Sequence, residues 1–207
     1  MTTTSTAHGT LPTPEDDPVV NRLLDVATAT FEDVGFRRST VEDIARRAGV
    51  ERVTVYRRLG AKNEIVKAVT LREAQRVFAE VAERADATDS LDDRITATFI
   101  GLISELRSHP LYTRLMRIEP DETLPRVTTE ASGPLAWAIH YAVMVLGPEV
   151  AEQAGGVELL TARVEIIART IHSIILTPKA VTHFDTEEQL EEFARKHIVP
   201  LVTASSG

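Results

Sequence analysis

The sequence predicts an all-α protein on three observations. Apolar residues recur at intervals of three and four through most of the chain, no stretch alternates apolar and polar residues as a strand does, and glycine, proline and capping residues punctuate the helical runs. With 207 residues, 43% of them hydrophobic, the chain suffices for one globular domain or two small ones. No internal repeat is visible.

The elements follow in order. Residues 1–18 are rich in Thr, Ser and Pro without an apolar period and read as a flexible N-terminal arm. Asp17 before Pro18 fits an N-cap with proline in the first helical position, and Val20, Leu23, Leu24, Ala27, Phe31 and Val34 carry a first helix to a cap at Gly35. Thr40 and Asp43 fit a capping pattern that opens a short second helix, with Ile44, Ala45 and Ala48 inward and Gly49 as its end. After Gly49-Val50-Glu51 a third helix begins. Longer helices are then expected over 62–85 and from Ser90 to His109-Pro110, followed by a short piece at 111–119. Residues 121–133, with Pro125 and Gly133, are left without a helix assignment, while the almost wholly apolar 134–146 reads as a buried helix. Two final helices are expected at about 157–177 and 186–199.

Composition excludes several kinds of function. Without cysteine there are no disulfides, thiolate metal sites or cysteine nucleophiles, and the reading is of a cytoplasmic protein with no membrane partner, since no apolar run approaches the 18 or more residues of a span. The sequence holds no H-E-x-x-H, E-x-x-H, G-x-S-x-G or phosphate-binding glycine loop. His140, His172, His183 and His197 therefore assemble into no recognisable catalytic or metal motif, and no cofactor is implied. An enzyme is a remote reading.

Charge is more telling. The chain carries a net −8, yet eight of its 23 basic residues and only three of its 31 acidic ones lie between Phe36 and Lys62. A basic patch on an acidic body suits a local contact with a polyanion. The surrounding pattern of helix, short glycine turn and helix lays one helix across the DNA backbone and the next in the major groove. At about 100° per residue, Val55 and Leu59 face inward on the third helix, and Val53 and Arg57 face outward, flanked by Thr54 and Tyr56. Arg57 suits a bidentate bond to guanine, Thr54 a base or phosphate, and Val53 a thymine methyl. Tyr56, Thr40 and Lys62 suit phosphates, and Arg52 suits either purpose.

The run TVEDIARRAGVERVTVYRRLGAKNEIV, with GFRRS before it, resembles the DNA-binding domain of the TetR (tetracycline-repressor) family through Thr40, Ile44, Ala45, Ala48, Gly49, Val50, Thr54, Tyr56 and Lys62. The resemblance covers about residues 19–66. It departs at Glu51, where the family favours serine, at Leu59, where it favours an aromatic residue, and at Asn63. It implies an all-helical homodimer, with a helix-turn-helix DNA-binding domain at 19–66 and a larger effector-binding and dimerisation domain at 67–207. On this reading the partners are a double-stranded operator, a small apolar or aromatic effector and a second copy of the chain. A repressor released by its ligand is expected first, and an activator or a regulator answering a protein partner fits the same residues.

In the larger domain the candidate effector residues are Phe99, Ile103, Met116, Trp137, His140, Tyr141, Met144 and His172, apolar positions interleaved with a few polar handles. A plain core accounts for the same residues. The candidate dimer face comprises Leu159, Ala162, Ile166 and Ser173 on one helix and Leu190, Phe193 and His197 on the last. Intrachain packing is the alternative there.

Overall fold

The computed structural model describes residues 17–204, so the arm expected at 1–18 lies almost wholly outside the described residues. The helices are α1 (Pro18–Arg38), α2 (Val41–Ala48), α3 (Arg52–Leu59), α4 (Lys62–Ala85), α5 (Leu91–Ser108), α6 (Pro110–Ile118), α7 (Pro120–Val127), α8 (Ser132–Gln153), α9 (Val157–Leu176), α10 (Glu187–Phe193) and α11 (Val199–Thr203). A π-helical turn, Ala194–Ile198, joins α10 to α11. Among the described residues the only β-type pairing is an isolated bridge between Lys179 and His183. The chain divides into two compact units after Val69.

The first unit is organised by α1 to α3. Asp17 accepts hydrogen bonds from the amides of Val19 and Val20, which fixes the start of α1. The helical segment does not stop at Gly35, as the sequence suggests. It breaks there, at φ 84°, and runs on to Arg38. The break lets Phe36 turn inward and meet Phe31 edge to face at 5.1 Å, and both rings are buried. Leu23, Ala27, Ile44, Ala48 and Val55 complete a dry core between the three helices.

In the second unit α5 lies against α9, α10 and the π turn, and α8 packs along α9. Phe99, Ile103 and Leu160 are fully buried at its centre. Gly101 permits a close approach of α4 and α5, because a Cβ there would stand 3.0 Å from a Val81 methyl. Arg107 of α5 donates to the carbonyls of Phe184, at 2.6 Å, and Ile174, at 3.4 Å, tying the end of α9 and the following loop to the core.

Two stretches of the second unit go beyond or against the sequence reading. Residues 120–127, left unassigned there, form a helix, α7; Pro120 occupies a first-turn position, where its missing N–H costs nothing. The apolar stretch 134–146 is helical but only partly buried. Ala138 and Ile139 are shielded and Leu135, Ala142, Val143 and Leu146 pack partly on the core, whereas Met144 is 52% exposed. Apolar composition says that a surface seeks cover, not that the same chain supplies it.

Candidate nucleic-acid interface and effector cavity

The outward face of α3 is built from α2 upward. Thr40 accepts from the Asp43 amide at 3.1 Å while Asp43 accepts from the Thr40 amide at 3.2 Å, closing a capping box at the start of α2. The hydrogen bond from the Thr40 hydroxyl, with Arg46 adding to it, holds the Asp43 carboxyl below the usual carboxylate range. Gly49, at φ 67°, ends α2 in the left-handed region that favours glycine, and α3 starts three residues later. Val55 is wholly buried and anchors α3 to the core.

That anchor sets what faces outward. Val53 is 63% exposed, and Tyr56 and Arg57 are exposed beside it, while Thr54 is half-buried. Arg52 donates to the Tyr56 hydroxyl at 3.0 Å and lies over its ring at 5.2 Å, so the two present one rigid polar edge. Its carboxylate neighbour Glu42 is 3.9 Å away. Lys62 donates one hydrogen to the Arg37 carbonyl at 3.2 Å, leaving two N–H groups for another acceptor. Thr40 is less free than the sequence suggested, since its hydroxyl donates to Asp43 at 2.6 Å. Its proton is spent inside the cap.

The remaining cations divide by partner. Arg46 pairs with Asp43, Arg47 with Asp33 and Arg58 with Asp17, each at 2.7 Å. Arg57, by contrast, makes no ion pair among the described residues. Glu51 stands at the N-cap of α3 without forming a side-chain cap bond. Sequence reasoning located this face but not the division of labour among its arginines, which depends on acids 3 to 41 positions away.

The second unit holds a partly open cavity of about 120 Å³. Phe78, Val81, Phe99, Leu102, Leu146, Ile167 and Ile171 are among its apolar lining, and Asp86, Arg94, Thr98 and the phenol of Tyr141 are its polar members. Of the expected effector residues, Phe99 and Tyr141 line it. Trp137 stands directly behind, stacked on Tyr141 at 5.1 Å and edge-on to Phe78 at 5.5 Å. The others lie elsewhere. Ile103 is sealed in the core, Met116 is half-buried on α6, and Met144 lines a surface groove instead. His140 is exposed with its Nδ1 2.7 Å from the Ala136 carbonyl, and His172 Nε2 bonds the Val127 carbonyl at the end of α7. Arg94 and Thr98 escaped notice, although their spacing of one helical turn beside Ile95, Phe99 and Leu102 was readable.

The expected dimer face splits. Leu159, Ala162, Ile166 and Ser173 are all exposed on α9. Leu190 is buried in the chain's own core, and Phe193 packs on Phe99 and Phe184. His197 lies exposed against Phe193. The stripe of the last helix is thus used internally, because α10 lies against α5.

Among the described residues no cluster of three or more His, Asp or Glu side chains is arranged to hold a metal ion, and no helix is long and apolar enough to cross a membrane.

A capped helix, a tight glycine turn and a second helix with a basic, solvent-facing edge define a helix-turn-helix DNA-binding domain. Residues 23–69 match the family model of the bacterial regulatory proteins of the tetR family. Residues 23–69 therefore carry a DNA-binding domain of the tetR family type. An uncharacterized HTH-type transcriptional regulator of Mycobacterium bovis is 34% identical to it over 98 residues, 47% of this chain and 50% of the relative. The HTH-type transcriptional repressor KstR2 of Mycobacterium tuberculosis is 29% identical over 87 residues, 42% of this chain and 44% of that protein. The chain spans about half the length of the curated relatives it matches. A solved structure, the TetR family repressor AlkX from a Dietzia strain, shares the fold with a TM-score of 0.67 at 21% identity, over 92% of this chain and 97% of that one.

Proposed function

We propose that this regulator is a homodimeric repressor that holds a near-palindromic operator through α3 and releases it when a small apolar or aromatic ligand enters the cavity lined by Phe99 and Tyr141. The observation that carries the reading is the outward face of α3, where Arg57 is exposed without an ion pair and Val53 lies bare beside it. An exposed valine and an uncompensated arginine make a poor protein surface and a good base-reading one. Arg52, Tyr56 and Lys62 serve phosphates, and Thr54 reaches a base or phosphate from its half-buried position.

Support for the dimer comes from apolar surface that the chain leaves uncovered. Leu159 and Ile166 on α9 are 41% and 52% exposed, and Met144 of α8 meets Val157 of α9 in one surface groove. The second copy covers this α8–α9 face, and α10 takes no part, its apolar stripe being committed internally. Two-fold pairing presents two recognition helices to half-sites separated by a helical turn, roughly 34 to 36 Å, or a small multiple of it. Ligand and DNA are then linked reciprocally: a ligand that weakens operator binding by some factor is bound more weakly by the same factor when operator is present.

Selection of a bound sequence from random duplex DNA, followed by titration in the presence of small hydrophobic compounds, tests the whole proposal. Enrichment of an inverted repeat and its release by a compound that alters Trp137 emission are the expected results. Failure to enrich any sequence overturns it.

A further inference from the structure

Apart from the Tyr141 phenol, the polar residues of the otherwise apolar cavity wall are Asp86, Arg94 and Thr98. These are unequal. Asp86 is exposed and keeps its hydration, whereas Arg94 is half-buried. Among the described residues Arg94 makes no ion pair and no side-chain hydrogen bond. Its chain neighbour Asp93 is already engaged, by Arg195 at 2.9 Å and by the Ser90 hydroxyl at 2.6 Å. Thr98, one helical turn beyond Arg94 on α5, faces the same cavity with a hydroxyl that also makes no hydrogen bond there.

A guanidinium partly withdrawn from water without a counterion has lost hydration and gained nothing in return. A carboxylate restores what it lacks, since it matches the planar fork of arginine with two parallel hydrogen bonds. The Thr98 hydroxyl adds a donor beside it. Phe99, Leu102, Ile167 and Ile171 leave only apolar surface for the rest of the molecule.

We propose that the ligand of this cavity is an amphipathic carboxylate, whose apolar body fills the space between α5 and α9 and whose head group is held by Arg94 with Thr98. This rests on the reading of the cavity as the effector site. It narrows that reading from any greasy molecule to one bearing a single negative charge.

The test uses the full chain and follows Trp137 emission during titration with octanoate and, separately, with 1-octanol. Both are repeated on Arg94→Gln and Arg94→Lys. The expected result is saturable binding of octanoate to the wild type, weakened by about tenfold or more in Arg94→Gln, as for loss of a charge-assisted hydrogen bond. Arg94→Lys keeps the charge without the fork and falls between the two. Octanol binding is the same in all three proteins, which also certifies that the cavity survives the substitutions. If Arg94→Gln weakens octanoate no more than octanol, or if octanol alone binds the wild type, the head-group assignment is overturned and the cavity reading stands. If neither compound binds the wild type, both are overturned.

Discussion

The guanidinium of Arg58 on the recognition helix lies 2.7 Å from the carboxylate of Asp17, the residue that caps α1. One oxygen of that carboxylate receives the amides of Val19 and Val20, and the other receives Arg58. A single side chain therefore starts one helix and pins another. Arg58 is neutralised in the process, while its neighbour Arg57 keeps its charge for an outside partner.

Asp17→Asn tests that division, because asparagine caps as well as aspartate but carries no charge. Stability should fall by no more than about 1 kcal/mol, the range for an exposed pair. Arg58, once released, should raise affinity for nonspecific duplex DNA and steepen its salt dependence by up to about one unit. Thermal unfolding and a salt titration of DNA binding check both parts.

Glu51→Ser should improve both stability and DNA binding. The native carboxylate makes no cap bond at the start of α3, so a serine that does should add about 1 kcal/mol. It also removes an anion from the edge that meets phosphates. Unchanged DNA affinity in this variant would place Glu51 away from the duplex.

Ile166→Glu should dissociate the dimer while leaving the monomer folded, since Ile166 is 52% exposed within one chain. Leu190→Glu should instead unfold the second unit, because Leu190 is buried there. Analytical ultracentrifugation with circular dichroism distinguishes the two. A dimeric Ile166→Glu protein would exclude this part of the α9 face.

Glu73 gives the molecule a pH signature. Its burial raises the carboxyl pKa, but the His109 imidazole 3.7 Å away and the charges of Arg76 and Arg72 outweigh it and leave the group below its ordinary value of 4.5. A lowered folded pKa contributes stability above the unfolded value and loses it as pH falls through the folded one. The stability gap between wild type and Glu73→Gln should thus be full at neutral pH and shrink below pH 4.5. Urea unfolding across that range measures it.

Most helices were legible because their signals are local. The Asp17-Pro18 start, the Thr40–Asp43 capping box, Gly49 and the 3.6-residue recurrence of apolar side chains fixed α1 to α5. The outward set of α3 followed from the same periodicity, since Val55 inside leaves Val53 and Arg57 outside. What failed to show was tertiary. Nothing local tells whether Leu190 meets its own core or another chain, and both give the same stripe. The exposed α8 face has the same origin: Met144 and Ala138 both read as apolar in the sequence, yet Ala138 is buried and Met144 is not. Arg94 stayed hidden because an arginine at the margin of an apolar stripe is ordinary until its lack of a counterion is known.

Base reading by α3 is proposed to run through Arg57. The most direct measurement is fluorescence anisotropy of wild type and Arg57→Ala against the selected operator and its full set of single base-pair substitutions. The variant should lose about 1 to 3 kcal/mol on the operator and become indifferent to the base pair at one position in each half-site, with discrimination elsewhere retained. A variant that binds every duplex like the wild type, or weakens uniformly across all of them, would contradict it.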